Sequence, residues 1–121
     1  MKKEILVYVE DDLLLRDIFE EEMGQYYDVH VFSNPLKSLA YIKEHTGDVS
    51  VLLTDFVMSE LNGLELIKKT KQLSSTIKCV LLTGYCKNIG SSGELDMCDL
   101  VIEKNRLLSI EELISKIKSI I

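Results

Sequence analysis

The sequence predicts a three-layer α/β fold, a doubly wound sheet of five parallel strands with helices on both faces. Two observations carry this. Apolar stretches such as ILVYV, VSVLLT and CVLLT are nearly continuous, the pattern of strands covered on both sides. Between them the apolar period becomes helical, and β and α patterns alternate along the chain. Such alternation implies parallel strands joined by right-handed crossovers.

Residues 4–9 form the first β-type run. Leu14, Leu15, Ile18, Phe19 and Met23 then follow helical spacing as an inner face, with Glu20, Glu21 and Glu22 on the water side. Asp12 suits the cap of this helix. A second strand pattern covers 28–32. Asn34-Pro35 opens a second helix, Asn as cap and Pro in the first turn, with Leu36, Leu39 and Ala40 as its inner face. The third strand pattern spans 49–54, and Leu64, Leu66 and Ile67 give a helix from about Gly63 to Leu73. The fourth strand pattern is 77–83. Residues 87–98, KNIGSSGELDMC, carry two glycines and two serines, which argue for a short or late-starting fourth helix or a mobile segment. After the fifth strand pattern at 100–103, Ser109 and Glu112 form a capping box. The last helix carries Ile110, Leu113, Ile114, Ile117 and Ile121 as one stripe.

At 121 residues the chain is one domain with enough length for a core, and 46% hydrophobic with 28% charged residues describes a globular protein. The net charge of −6 and the lack of a Lys/Arg cluster disfavour direct nucleic-acid binding. No apolar run approaches the roughly 20 residues of a membrane span, and the first apolar segment is too short for a signal peptide. A cytoplasmic location without membrane insertion is therefore expected. Cys79, Cys86 and Cys98 form no CxxC pair, and their odd number suits a reducing compartment. Cys79 reads as a core filler and Cys86 as a thiol just past a strand end. His30 and His45 read as surface or packing residues.

In a doubly wound sheet the functional crevice lies at the carboxyl ends of the strands. The first strand runs into Glu10-Asp11-Asp12, the third into Asp55, the fourth into Thr83 and the fifth, after Glu103, into Lys104. In the order 2-1-3-4-5 these groups meet around one crevice. Three carboxylates together repel unless a cation binds, and an all-oxygen set suits Mg²⁺, with Mn²⁺ able to take its place. An Asp nucleophile can accept a phosphoryl group as an acyl phosphate, with a Lys ammonium and a hydroxyl neutralising the added charge.

The motifs IL-VYV-EDD, LLTDFVM-x-x-x-NG, VLLTGY and VIEK, in this order and over the whole chain, resemble the receiver domain of bacterial two-component response regulators. The resemblance implies a flavodoxin-like (βα)5 fold and a single receiver domain over 1–121. It makes Asp55 the phosphoacceptor, with Glu10, Asp11, Asp55 and the backbone carbonyl of Val57 as Mg²⁺ ligands. Thr83 becomes the switch hydroxyl and Lys104 the phosphate-binding lysine. A sensor histidine kinase or phosphotransfer protein would supply the phosphoryl group. Output would pass to a protein partner or a second copy through the fourth helix, fifth strand and last helix. The domain would be a switch with at most slow self-dephosphorylation, not an enzyme with its own small substrate, and the chain is expected to be a single-domain regulator.

Three positions depart from the family pattern. Ser59 and Asn105 stand where proline is usual, and Val101 where the switch aromatic is usual. A cis bond before Asn105 would cost about 2.5–4 kcal/mol, which favours a trans bond or a rearranged loop. The phosphoryl chemistry is expected intact, while its transmission must differ. Two other readings stand beside this one. A non-phosphorylated interaction module would keep the fold only. An Asp-nucleophile phosphatase would need a second Asp two residues after the first, where Val57 stands. Tyr85 is expected to gate the phosphate site, to bind a partner or simply to pack half-exposed, and Met58 to anchor its loop to the core.

Overall fold

The computed structural model describes residues 3–58, 60–84, 96–103 and 109–121. Five strands, β1 (Ile5–Val9), β2 (Asp28–Phe32), β3 (Val49–Asp55), β4 (Lys78–Thr83) and β5 (Leu100–Glu103), form one parallel sheet in the order β2-β1-β3-β4-β5. The described helices are α1 (Leu13–Met23), α2 (Pro35–Glu44), α3 (Gly63–Leu73) and α4 (Ile110–Ile120). The doubly wound order expected from the alternation is therefore present.

Strand alternation divides the core between two faces. Leu6, Tyr8, Val51, Leu53, Val80, Leu82 and Ile102 meet Phe19 and Met23 of α1 and Leu113, Ile114 and Ile117 of α4. Val7, Val9, Leu52, Cys79 and Leu81 meet Ile42 of α2 and Leu64, Leu66 and Ile67 of α3. One irregularity adjusts the register. Ile5 pairs with Val49 but Leu6 with Val51, so an extra residue, Ser50, is accommodated in β3. That extra residue places Val49 on the α2/α3 side and Val51 on the other.

The helix ends follow local chemistry. Asp12 caps α1, its Oδ1 accepting from the N–H groups of Leu14 (3.0 Å) and Leu15 (3.2 Å). Asn34 does the same for α2, with Pro35 in the first turn. At α4, Ser109 Oγ accepts from Glu112 N–H at 3.1 Å. A full reciprocal capping box appears at α3, between Asn62 and Glu65.

Several expected inner faces are rotated. On α2 the buried residues are Pro35, Ser38 and Ile42, with Leu39 partly buried, while Leu36 and Ala40 are exposed. The cap at Asn34 fixes the phase, and Leu36 and Ala40 sit well around the helix from that stripe, at about 100° per residue. Ser38 can occupy the inside because its hydroxyl donates to the Pro35 carbonyl at 2.7 Å. On α1, Phe19 and Met23 are buried but Leu14 and Ile18 are exposed, as are Glu20, Glu21 and Glu22. Ile121 lies beyond the last turn of α4 and is exposed, and Ile120 packs on the core in its place.

A polar clamp ties α3 to the far half of the sheet. Lys71 Nζ donates to the Ile77 carbonyl (2.8 Å) and to Asp99 Oδ2 (2.7 Å). The same Asp99 oxygen accepts from Cys79 N–H at 2.8 Å. Burial works against the Asp99 charge, but Lys71 and the Cys79 amide outweigh it and hold the carboxyl below its usual range. Cys79 is fully buried, and burial pushes its thiol up to about 12, as befits a core filler. His30 and His45 both pack on Tyr41, with ring centroids 4.9 and 4.3 Å away.

Ser59, Tyr85, Cys86, Lys104 and Asn105, together with residues 87–95 of the expected fourth helix, lie outside the described residues.

Candidate functional site

The site lies where β1 and β3 end. Glu10 continues the face of Leu6 and Tyr8, and Asp55 that of Val51 and Leu53, so the strand period alone aims both carboxylates to the same side. Glu10 is buried, Asp55 half-buried and Asp11 exposed. One carboxylate oxygen from each of the three lies within 4.8 Å of the others. This is the one such acidic, His or Cys cluster among the described residues.

Glu10 is held at several points. Its N–H donates to the Phe32 carbonyl (3.0 Å), fixing it to β2. The Tyr8 hydroxyl donates to Oε1 at 3.3 Å, and Asp12 N–H approaches Oε2 at 3.4 Å. Burial, and then the Glu10 carboxylate beside it, push the Tyr8 hydroxyl far above its ordinary pKa. Tyr8 is a neighbour of the acidic cluster that the sequence analysis did not single out. The signal was available, because residues two apart on a strand share a face.

The loop after Asp55 is stitched closely. Asp55 Oδ1 accepts from Phe56 N–H at 3.0 Å, and the same amide donates to the Leu82 carbonyl of β4 at 3.0 Å. Thr54 Oγ1 donates to the Asp55 carbonyl (2.9 Å) and touches Met58 Sδ (3.5 Å), so Met58 does anchor its loop to the core. Gly63 N–H donates to the Phe56 carbonyl at 2.8 Å. These contacts bring the start of α3 against the end of β3, which gives the spacing from Asp55 to Gly63 a physical reason. Glu60 has a left-handed backbone, φ 71°.

Thr83, the last residue of β4, is buried and pairs with Glu103 of β5. Val57 is 73% exposed on the loop. Val101 pairs with Leu81 and packs, partly buried, on the α2/α3 side of the core. The structure thus brings Glu10, Asp11 and Asp55 together and sets Thr83 at the same strand-end edge.

The donor set, all carboxylate oxygen with one member open to solvent, fits a hard divalent ion that keeps part of its water shell. No helix among the described residues is long and apolar enough to cross a membrane.

Comparison with known proteins points the same way. The family model described as response regulator receiver domain matches residues 5–117. The chain is 29% identical to the response regulator receiver protein CpdR of Brucella abortus over 83 residues, covering 69% of this chain and 68% of that protein. It is 27% identical to sporulation initiation phosphotransferase F of Bacillus subtilis over 101 residues, covering 80% of this chain and 72% of that protein. A 27% match over 62 residues to the sensor kinase CckA of Brucella abortus covers 51% of this chain but only 7% of the kinase. Among solved structures, the response regulator TrrA of Thermotoga maritima in complex with Mg²⁺–BeF superposes with a TM-score of 0.80 at 23% identity, over 98% of this chain and 99% of that one. TrrA in complex with the histidine kinase ThkA gives a TM-score of 0.82 at 21% identity, with 98% of each chain covered. These structural likenesses establish the flavodoxin-like fold. The family model, matched over nearly the whole length, establishes more: this chain belongs to the response regulator receiver domain family of two-component systems.

Proposed function

We propose that this receiver domain accepts a phosphoryl group on Asp55 and acts as a phosphorylation-controlled switch. The observation that carries the reading is the meeting of the Glu10, Asp11 and Asp55 carboxylates within 4.8 Å at the strand ends. Glu10, Asp11, Asp55 and the Val57 carbonyl would hold Mg²⁺, or Mn²⁺ in its place, which supplies charge neutralisation for the incoming phosphoryl oxygens. An Asp55 carboxylate oxygen attacks phosphorus as the bond from phosphorus to the donor's leaving atom breaks, and the leaving group departs with the electron pair. The Phe56 amide on Oδ1 fixes the nucleophile's orientation. Thr83 and Lys104 would then bind the phosphoryl oxygens, the Lys from its place directly after β5.

A sensor histidine kinase or a phosphotransfer protein is the proposed donor. TrrA is seen bound to a histidine kinase, and here Leu13, Leu14 and Ile18 leave apolar side chains exposed on α1 immediately after the acidic pair. Output is proposed to run through the 87–98 segment, β5 and α4 to a protein partner or a second copy. Residues 1–121 are taken as one receiver unit working in the cytoplasm, a setting that suits the free thiols of Cys79 and Cys98. The unit is a switch rather than an enzyme.

Incubation with Mg²⁺ and acetyl phosphate, followed by intact-mass measurement, tests this. Wild type should gain one phosphoryl group, and Asp55→Asn or omission of Mg²⁺ should abolish the gain. Absence of any adduct in wild type would instead favour a non-phosphorylated interaction module, the reading to which Ser59, Val101 and Asn105 lend support.

A further inference from the structure

We propose that Tyr8 is a positioning residue for the site: its hydroxyl holds the Glu10 carboxylate in the orientation in which Glu10 and Asp11 share a cation with Asp55. The inference rests on the Mg²⁺-dependent reading above and adds a residue that the acidic cluster itself does not contain.

Tyr8 is fully buried, and its ring is locked by stacking on Phe19, centroids 5.7 Å apart and planes inclined by 25°. A locked ring fixes where its hydroxyl stands. That hydroxyl lies 3.3 Å from Glu10 Oε1, while the Asp12 amide lies 3.4 Å from Oε2. The two oxygens of one carboxylate thus meet two different donors, a side-chain hydroxyl from β1 and the backbone N–H of the residue that caps α1. Glutamate has three rotatable side-chain bonds, and ordering them at the moment of ion binding would cost conformational entropy. Pinning the carboxylate beforehand removes that cost, the usual service of a hydrogen bond behind a metal ligand.

Packing alone does not require the hydroxyl. A phenylalanine at position 8 would fill the same space against Phe19 without placing a polar atom in an apolar cluster, which is itself unfavourable. Tyr27 provides the contrast. It is also buried, in the same cluster, yet its hydroxyl finds no hydrogen-bond partner among the described residues. The aim of Tyr8 at Glu10 is therefore specific to its position.

Tyr8→Phe deletes the hydroxyl and keeps the ring. Three measurements on the full chain test the proposal: Mg²⁺ binding by titration calorimetry, the Mg²⁺ dependence of acetyl phosphate labelling, and the thermal midpoint in EDTA. The expected result is an Mg²⁺ dissociation constant raised about tenfold. The Mg²⁺ midpoint for labelling should rise in parallel, saturating Mg²⁺ should recover most of the loss, and the midpoint in EDTA should stay close to wild type. Phe19→Leu disturbs the stack while leaving the hydroxyl, and should lower the thermal midpoint with a smaller effect on Mg²⁺ affinity than Tyr8→Phe. Equal Mg²⁺ affinity in Tyr8→Phe and wild type would overturn the proposal, as would a loss of affinity in Tyr8→Phe accompanied by a matching fall of its thermal midpoint in EDTA. A wild type that binds Mg²⁺ and is labelled, beside a Tyr8→Phe that matches it, removes only the role of Tyr8. A wild type that does neither removes the phosphoacceptor reading as well.

Discussion

A Cβ built on Gly63 would stand 2.4 Å from the Asp55 carbonyl oxygen and 2.7 Å from Leu81 Cδ1, so α3 can start where it does only because the residue there has no side chain. Gly63→Ala must push apart the end of β3 and the start of α3. We expect a loss of about 1–3 kcal/mol in urea unfolding, the range for overpacking, together with slower acetyl phosphate labelling because the Asp55 backbone shifts. Unchanged stability and labelling would show that the loop absorbs the methyl group. Glu60 presents the opposite case, an ordinary residue at φ 71°. A left-handed backbone costs an L-residue about 1–2 kcal/mol. Glu60→Ala and Glu60→Gly both lose the 3.4 Å hydrogen bond from Asn34 Nδ2, so that contact cancels between them. The Gly variant should be the more stable by about 1 kcal/mol in paired denaturation curves, reversing the usual order of Ala over Gly. At this scale the sequence displayed the chemistry of the site through Glu10, Asp11 and Asp55. It placed Tyr8 on the same strand face as Glu10, two residues away, but only the packing against Phe19 shows that the ring is held with its hydroxyl at that carboxylate.

The elements were legible where their signals were local. Each strand was found within about one residue because continuous apolar runs have few alternatives in an α/β chain. The caps at Asp12 and Asn34 were legible because a short polar side chain before a helical period has one common use. Helix faces were harder to read, since hydrophobicity alone sets the phase only when polar residues stay outside. Ser38 inside and Leu36 outside break that rule on α2, as Leu14 and Ile18 do on α1. The Lys71–Asp99 clamp was invisible for another reason, as its members are 28 residues apart and meet only once α3 has packed on the sheet. Asp99 accepts from Lys71 and from the Cys79 amide, so Asp99→Asn should cost about 1.5–3 kcal/mol near neutral pH, the range for hydrogen bonds to a charged group. The folded pKa of Asp99 lies below its ordinary value of 3.8, so the stabilisation is complete above that value and is lost as pH falls through the lower folded one. Denaturation curves of wild type and Asp99→Asn should therefore converge in that acid range. A gap that stays constant through the acid limb would show that the carboxylate charge contributes nothing.

Across the whole molecule, the ends of the strands gather charge that the rest of the fold does not need. Two like charges within 4.8 Å of each other repel by a few kcal/mol at the effective dielectric of about 20 found near protein surfaces, and three carboxyl groups meet at that range here. The surrounding sheet, with both faces covered, keeps Glu10, Asp11 and Asp55 together despite that repulsion. A cation that binds them only when folded must then stabilise the entire domain by mass action. At Mg²⁺ a hundredfold above its dissociation constant the gain should be about 2.7 kcal/mol. For a domain of this length that corresponds to a rise of roughly 10 °C in thermal midpoint. The rise should saturate with Mg²⁺, survive in a constant background of NaCl that screens general charge effects, and be largely lost in Asp55→Asn and Asp11→Asn. An equal rise in those variants would assign the stabilisation to surface screening rather than to the cluster.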